Sequence, residues 1–380
     1  MRSHLEREID QQPALWREVA VMVERRRGEI GAVLSPVLAR REARIVLVGA
    51  GTSTYAGQVA APTLSRALGR QVEALATTDL VADPYAHLSP DVPTLLVSFA
   101  RSGDSPESVA ATELADQLVS DVTHLVLTCN PAGHLARVHE ERAGSLVLRM
   151  PAAADDRSFA MTSCFTCMTL AALLALGSDP RPAERAGRLA AAAEQVLADP
   201  TTVVALARRR PERVVYLGSG PFAGLARESA LKLTELTAGE VVAVGESSLG
   251  FRHGPKAVLT PETLVVVYLA NDPYTRRYDL DILAELSAEL APGQVVAVDG
   301  PGADDVSVTA PRAQVLRLVG VADQSDACLA LPAVLVAQLL GLATSLLRGH
   351  TPDNPFPTGE VNRVVQGVTI HPLDPSGTER

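Results

Sequence analysis

Short apolar runs recur along the chain and alternate with longer segments of helical periodicity. In the first half the apolar runs cover residues 44–48, 72–76, 94–99, 124–129 and 145–148, and helical patterns cover residues 55–68, 107–118 and 165–176. Strands that alternate with helices in this way are typical of a parallel α/β sheet. Residues 5–40 are predicted to be helical, with Pro13 near the start of one helix and Pro36 interrupting another.

The same pattern restarts in the second half of the chain. RIVLVGAG at 44–51 is matched by RVVYLGSG at 213–220, and TLLVSFARSGDS at 94–105 by TLVVVYLANDPY at 263–274. Both pairs have the same offset (213 − 44 = 263 − 94 = 169 residues), which predicts two copies of one α/β unit, with chance similarity of apolar strands as the alternative. We therefore expect a helical segment at 1–40, a first unit at 41–178, a connecting helix within 179–205, a second unit at 206–350 and a tail at 351–380.

Small hydroxyl side chains follow two predicted strands of the first copy. Thr52 and Ser53 come after the first strand, and Ser102, Gly103 and Ser105 lie between the strand at 94–99 and a helix. Free N–H groups and the helix dipole favour a phosphate there, and strand ends of a parallel sheet share one edge. The two loops are therefore predicted to form one anion site, with ordinary capping by serine as the alternative. The second copy has other residues at the corresponding positions: Pro221, Phe222, Asn271 and Tyr274.

The segment at 228–256 carries candidate acid–base chemistry. Its first part is a predicted helix with Glu228, Lys232 and Glu235 at i, i+4 and i+7, a spacing that places all three on one face. A loop that contains Gly245, Gly250 and Gly254 is then predicted to present Arg252 and His253. A carboxylate, a cation and an imidazole are the groups needed for proton abstraction next to a carbonyl. The alternative is a surface helix stabilised by ion pairs.

Composition and spacing exclude several classes of protein. The net charge is −10 with both signs interspersed, unlike the clustered basic surface of a nucleic-acid-binding protein. No stretch reaches the ~20 apolar residues of a membrane span, and the apolar segment at 329–347 is predicted to be a buried helix, so we expect a cytoplasmic protein without a membrane partner. Four cysteines are too few for a disulfide framework, the histidines lack ligand spacing, and Thr54 breaks a G-x-G-x-x-G motif. Neither a metal nor a cofactor is expected.

Several motifs together resemble those of a known family. They are EIDQQP at 8–13, GAGTS at 49–53, SFARSGDSPES at 98–108, DRSFAMTS at 156–163, ESALKLTELTAG at 228–239, LGFRHGPK at 249–256, NDPYTR at 271–276 and DNPFPTGEVNRVVQGVT at 353–369. The combination resembles tandem-SIS-domain sugar-phosphate isomerases, in particular the AgaS-type branch of tagatose-6-phosphate ketose/aldose isomerases and galactosamine-6-phosphate deaminases. The resemblance implies two tandem SIS domains, each a flavodoxin-like parallel sheet flanked by helices.

The resemblance also implies roles for individual residues. Glu235 would move a proton between C1 and C2 of the sugar, His253 would open the sugar ring, and Lys232, next to Glu228, would polarise the substrate or orient Glu235. In this family the histidine commonly comes from a neighbouring subunit, which implies a homodimer or a higher homo-oligomer. The implied phosphate ligands are Ser53, Ser102, Ser105 and the backbone of Arg101.

Two positions depart from the family pattern. Ala100 stands where many SIS loops carry a first serine. The active-site lysine of a related synthase falls on Gln366 or near Arg363 in the tail. The resemblance further implies that the segment from Phe159 to Met161 lines the sugar.

These observations lead to one functional hypothesis and two alternatives. The hypothesis is an isomerising deaminase that converts galactosamine 6-phosphate, or a related amino-hexose 6-phosphate, to tagatose 6-phosphate and ammonia. The first alternative is an aldose–ketose isomerase of a hydroxy-hexose 6-phosphate, which uses the same proton shuttle without ammonia release. The second is a sugar-phosphate sensor that binds without turnover.

Overall fold

The computed structural model describes residues 2–177, 179–300, 305–365 and 367–373. In the first half, the helices and strands are α1 His4–Arg25, α2 Arg27–Leu38, β1 Arg44–Gly49, α3 Thr52–Leu68, β2 Val72–Ala76, α4 Thr77–Ala82, α5 Pro84–His87, β3 Thr94–Ala100, α6 Pro106–Leu118, β4 Val122–Thr128, α7 His134–Glu140, β5 Ser145–Arg149 and α8 Ser163–Leu176. The remainder are α9 Pro182–Ala198, α10 Thr201–Arg208, β6 Arg213–Leu217, α11 Pro221–Leu236, β7 Val242–Glu246, β8 Thr263–Leu269, α12 Pro273–Glu289, β9 Val295–Asp299, α13 Asp305–Thr309, β10 Gln314–Arg317 and α14 Asp326–Arg348.

The strands form two parallel five-stranded sheets with the same topology. The first sheet has the order β2-β1-β3-β4-β5, and the second, read from β7, has the matching order β7-β6-β8-β9-β10. Even the register repeats, because Arg44 pairs with Thr94 in the first sheet and Arg213 pairs with Thr263 in the second. The predicted α/β fold with two tandem units is confirmed.

Helices α3 and α11, one from each unit, pack against each other and join the two halves. The contact is close because Gly224 of α11 has no side chain, and a Cβ there would lie 2.8 Å from Gln58 Cβ and 2.9 Å from the backbone nitrogen of Val59. Arg227 on the next turn donates a 3.0 Å hydrogen bond to the Gln58 side chain. This packing brings the N-terminus of α3 next to the charged residues of α11.

We predict that Gly224→Ala destabilises the protein by about 1–3 kcal/mol, since the new methyl group meets backbone that cannot yield easily. Denaturant unfolding would measure the change. Gly187→Ala is the matched control, because a Cβ there meets nothing within 4 Å inside helix α9. The control should be neutral or more stable by about 0.5–1 kcal/mol, since alanine is the better helix former. Equal denaturant midpoints for Gly224→Ala and Gly187→Ala would contradict the close packing of α3 on α11.

The long apolar helix α14 lies inside the fold. Among the described residues it is the one helix long and apolar enough to cross a membrane, yet 94% of its most apolar window is buried against the rest of the protein. It packs against α11, α10 and α9. The prediction of a buried helix at 329–347 is therefore confirmed.

Three local predictions differ from the structure. Pro13 lies inside α1 rather than near its start, and the Gln12 side chain donates a 3.2 Å hydrogen bond to Ile9 O, the carbonyl that a residue with an N–H at position 13 would bind. Pro36 lies within the last turn of α2, which continues to Leu38. Gly245 is in strand β7 rather than in a loop, and its lack of a side chain serves packing, because a Cβ there would lie 2.4 Å from Ala226 O in the backbone of α11.

Candidate active site

A cleft with a volume of about 250 Å³ opens at the carboxyl ends of β1 and β3. Ser53 after β1 and Ser102, Gly103 and Ser105 after β3 line it together, so the two hydroxyl loops meet as their positions in the sheet predict. Glu235, from the last turn of α11, lines the same cleft. The remaining lining residues are Ala50, Gly51, Thr52, Phe99, Ala100, Arg101, Ser108, Phe159, Met161, Leu231, Val361, Asn362, Arg363 and Val365.

The loop after β3 is shaped to leave donors facing the cleft. Gly103 has a φ of 70°, a conformation that L side chains rarely adopt. Asp104 pins the loop from behind by accepting a 2.8 Å hydrogen bond from the backbone nitrogen of His134. Ser105 is the N-cap residue of α6, but its side chain makes no capping hydrogen bond. Helix capping therefore does not account for the Ser105 hydroxyl.

The charged residues of α11 are buried rather than on the surface. Glu228 and Lys232 are fully buried, whereas the Glu235 side chain is 21% exposed to the cleft. Lys232 Nζ lies 2.5 Å from Glu235 Oε2 and 3.6 Å from Glu228 Oε1. The alternative of a solvated surface helix is wrong, because α11 packs on α3 and α14 on both sides. Leu231 of the same helix lines the cleft beside Glu235.

Burial sets the protonation of this cluster. Desolvation raises the pKa of Glu228 to about 8, although the nearby Lys232 ammonium opposes the shift. Burial alone would lower the pKa of Lys232, but the adjacent Glu228 and Glu235 carboxylates outweigh it and hold that pKa above its ordinary value. At neutral pH the cleft is thus backed by a charged ammonium and a neutral carboxyl group.

Glu228→Gln should make stability less dependent on pH. The folded chain holds a proton on Glu228 up to a pKa of about 8, whereas the unfolded chain releases it near the ordinary value of 4.5. Stability from this group is therefore fully present below about pH 4.5 and is lost as the pH rises through about 8. Glutamine keeps the shape of the side chain but does not ionise. The free energy of unfolding of the variant should therefore fall less than that of wild type between about pH 5 and about pH 9. Urea unfolding across this pH range measures the difference. Parallel curves of unfolding free energy against pH for the two proteins would show that Glu228 does not hold a proton at neutral pH.

Thr52 lines the cleft, but its hydroxyl is engaged by the lysine. Lys232 Nζ donates a 2.9 Å hydrogen bond to Thr52 Oγ1. Thr52 is 3% exposed and begins helix α3 immediately after Gly51, whose φ is 56°. This contact differs from the expectation that the threonine serves the anion, and spacing could not reveal it, because 180 residues separate the two partners.

The wall that carries Phe159 and Met161 is held by two buried carboxylates that sequence reasoning missed. Glu8 of α1 accepts hydrogen bonds from the backbone nitrogens of Arg157 (2.6 Å) and Ser158. Asp156 accepts from the backbone nitrogens of three residues at the start of α8, namely Thr162, Ser163 and Cys164. Desolvation and the nearby Asp156 charge raise the pKa of Glu8. The available signal in the sequence was the position of Glu8, which falls on the same face of α1 as the apolar residues Leu5 and Ile9.

The C-terminal tail covers one side of the cleft. Asp353 O accepts a 3.0 Å hydrogen bond from the backbone nitrogen of Phe159, and the rings of Phe356 and Phe159 are 5.0 Å apart. Arg101 reaches across the site, since its guanidinium donates to Phe159 O at 3.2 Å and to Arg363 O at 2.6 Å. The Arg101 side chain therefore binds the tail, which leaves its backbone for a ligand. Gln366 lies outside the described residues.

His253 is not brought to this cleft within the chain. It is exposed in the turn after Gly250–Arg252, and it is not among the residues that line the cleft. The neighbouring Arg252 is also turned away, with Nε 2.7 Å from Glu285 Oε2. Across the described parts of the chain, no three His, Cys, Asp or Glu residues are grouped as metal ligands would be.

The second unit fills its own equivalent strand ends with a carboxylate. Asp279 of α12 is fully buried and accepts hydrogen bonds from Ser219 Oγ (2.6 Å), Ser248 Oγ (2.5 Å) and the backbone nitrogen of Ala270 (3.1 Å). Burial raises the pKa of Asp279 to about 6. Donors that could hold a ligand anion are thus used internally, which explains why the hydroxyl-lined cleft lies in the first unit.

Comparison with known proteins gives a consistent result. The SIS domain family matches residues 38–177. A protein of Streptomyces coelicolor that carries the AgaS name is 61% identical over 98% of this chain and 96% of its own length, and the D-galactosamine-6-phosphate deaminase AgaS of a Shewanella species is 42% identical over 97% and 91%. The crystal structure of tagatose-6-phosphate ketose/aldose isomerase from Escherichia coli superposes with a TM-score of 0.89 at 38% identity, covering 97% of this chain and 96% of that one. The chain therefore belongs to the AgaS family of SIS-domain proteins.

Proposed function

We propose that this protein is an isomerising deaminase that converts galactosamine 6-phosphate to tagatose 6-phosphate and ammonia. The observation that carries the proposal is the presence of one cleft in which the hydroxyls of Ser53, Ser102 and Ser105 lie together with the Glu235–Lys232 pair. Relatives named as D-galactosamine-6-phosphate deaminases, identical at 42% over nearly the whole chain, support the choice of substrate.

The proposed reaction is a proton shuttle between two neighbouring carbons. In the open-chain aldehyde, Glu235 takes the C2 proton and the electron pair forms the C1–C2 double bond of an enolamine. The C1 oxygen takes a proton from solvent, and the nitrogen returns one to solvent when the imine is formed. The same carboxyl group returns the proton to C1, which restores a C–H bond and leaves a C2 imine. Water adds to the imine carbon and ammonia leaves, so that the ketone at C2 is formed. Lys232, charged and fixed beside Glu235, stabilises the negative charge that develops on the C1 oxygen.

The phosphate is proposed to bind through hydroxyl and backbone N–H donors at the N-termini of α3 and α6. Ser53 is buried in the first turn of α3, and Ser105 precedes Pro106, the first residue of α6. Both ends place the positive end of a helix dipole at the cleft. Anchoring the phosphate holds the reacting carbons at the other end against Glu235, because binding energy far from the reaction fixes its geometry. Phe159, Met161 and Arg363 are proposed to contact the sugar between the two ends.

We further propose that His253 opens the sugar ring in a neighbouring subunit of a homodimer or higher oligomer. Support comes from its exposure in the turn after Gly250–Arg252, outside the cleft of its own chain. Mixing His253→Ala with Glu235→Gln, each inactive alone, should restore activity if one chain completes the site of another. Persistent inactivity of the mixture, with oligomers verified by light scattering, would place the histidine in its own chain or outside the reaction.

The proposed unit boundaries are 41–178 and 206–350, joined by 179–205 and flanked by 1–40 and the tail at 351–380. The match of the SIS domain family to residues 38–177 supports the first boundary. A cytoplasmic location is also proposed, since phosphorylated sugars do not cross membranes freely.

An ammonia assay over a panel of hexose 6-phosphates tests the proposed function. Ammonia should be released from galactosamine 6-phosphate faster than from glucosamine 6-phosphate, in equal amount to the ketose 6-phosphate formed. The second candidate is a hydroxy-hexose 6-phosphate isomerase, which the name of the Escherichia coli structure favours. Turnover of a hydroxy-hexose 6-phosphate without ammonia from either amino sugar would establish that candidate. Binding without hydrogen exchange at C1 or C2 would overturn both.

A further inference from the structure

The hydroxyl of Thr52 links the loop after β1 in the first unit to the charged residues Glu228, Lys232 and Glu235 of α11 in the second. Lys232 Nζ donates to Thr52 Oγ1 at 2.9 Å and contacts Glu235 Oε2 at 2.5 Å, with Glu228 Oε1 farther away at 3.6 Å. Thr52 and Lys232 are 3% and 0% exposed, so water does not compete for these bonds. The buried ammonium is therefore held between one hydroxyl oxygen and one carboxylate.

We propose that Thr52 is a positioning residue. It holds Lys232, and through it Glu235, in a fixed position relative to the hydroxyl residues that line the cleft. A lysine side chain has four rotatable bonds, and its nitrogen is fixed here only by what it binds. Two carboxyl groups flank the nitrogen on the same helix, and the Thr52 oxygen is the acceptor that draws it toward the first unit. Without this acceptor the ammonium can move toward Glu228, and the Glu235 carboxylate then loses its fixed position beside the cleft.

The place of Thr52 in the chain makes this contact a link between binding and reaction. Thr52 and Ser53 are consecutive residues in the first turn of α3. A phosphate bound by Ser53 therefore orders the same turn that holds the ammonium. This role rests on the proposed function. It predicts that Thr52 controls kcat, whereas a residue that binds the phosphate directly would mainly control KM.

The kinetic test compares two substitutions of Thr52 with one of its neighbour. Thr52→Val replaces the hydroxyl by a methyl group of similar size, and we expect kcat to fall about 10- to 100-fold, as small displacements of a reacting group do. KM, and the dissociation constant of inorganic phosphate measured by calorimetry, should stay within about 2-fold of wild type. Thr52→Ser keeps the oxygen and should restore most of kcat. Ser53→Ala is the matched comparison and should mainly weaken phosphate binding. Weaker phosphate binding with unchanged kcat in Thr52→Val, or no change in either constant, would overturn the proposal.

A second readout does not depend on the substrate being identified. The sequence contains two lysines, Lys232 and Lys256, so ¹⁵N-lysine labelling gives two side-chain signals, and Lys256→Arg removes one of them. Loss of an acceptor that favours the charged form should lower the pKa of Lys232 in Thr52→Val, and Thr52→Ser should bring it back. A purely structural role would leave this titration unchanged. If no hexose 6-phosphate is turned over, the proposed function fails while the titration still decides whether Thr52 holds the ammonium.

Discussion

Replacement of Glu235 by glutamine is expected to lower kcat about 10²- to 10⁴-fold, the range in which a single proton-transfer group contributes. The amide has nearly the same shape but cannot accept the C2 proton. KM should change little, because the phosphate donors of Ser53, Ser102 and Ser105 remain in place. Ammonia release from galactosamine 6-phosphate measures the rate, and exchange of the C2 hydrogen with deuterated water measures the proton step itself.

Glu262→Gln is the matched control for this loss. Glu262 is exposed and lies outside the cleft, so its substitution should leave kcat within about 2-fold of wild type. A Glu235→Gln enzyme with turnover within a few-fold of wild type would show that another group carries the proton.

Replacement of Lys232 by methionine is expected to destabilise the protein by about 3–5 kcal/mol, since removal of the ammonium leaves the mostly buried Glu235 carboxylate without its counter-charge. Lys232 is fully buried between Glu228 and Glu235, and methionine fills most of the same volume without a charge. Urea unfolding at neutral pH measures the loss. Activity should fall as well, because the cation beside Glu235 is gone.

The other lysine of the chain provides the control. Lys256 also contacts two glutamates, Glu285 and Glu289, but its side chain is 28% exposed and water replaces the lost partner. Lys256→Met should therefore cost no more than about 1 kcal/mol. Adding Glu228→Gln to Lys232→Met should recover little stability at neutral pH, because Glu228 already holds its proton there. Equal losses for the two lysine variants would mean that the cluster on α11 is solvated.

Local pattern predicted the strands well because strand, turn and helix are determined over short distances. The run at 44–48 became β1 and the run at 94–99 became β3, each extended by one residue. The shared offset of 169 residues predicted the duplicated unit, and the matching register of Arg44 with Thr94 and Arg213 with Thr263 confirms it. A repeated pattern is also informative about the site, because equivalent strand ends lie at the same edge of each sheet.

Glycine and proline were less informative where tertiary contacts decided their role. Gly245 suggested a loop, but it lies in β7, where glycine is required because the backbone of α11 approaches too closely for any side chain. Pro13 suggested a helix start, but a side-chain hydrogen bond from Gln12 satisfies the carbonyl that the proline leaves free. The deciding contact is tertiary for Gly245. For Pro13 it comes from the preceding residue, Gln12, whose side chain also donates a 2.7 Å hydrogen bond to Gln338 of α14.

The sequence by itself determined the two parallel α/β units, the hydroxyl loops at the strand ends and the i, i+4, i+7 spacing of Glu228, Lys232 and Glu235. These features follow from backbone geometry, which repeats every two residues in a strand and every 3.6 in a helix. Only the tertiary structure decided that this charged face is buried against α3, that Lys232 binds Thr52, and that the tail reaches Arg101. Such contacts join residues 180 and 262 positions apart, and they exist only because the packing of two units removes water from the groups between them.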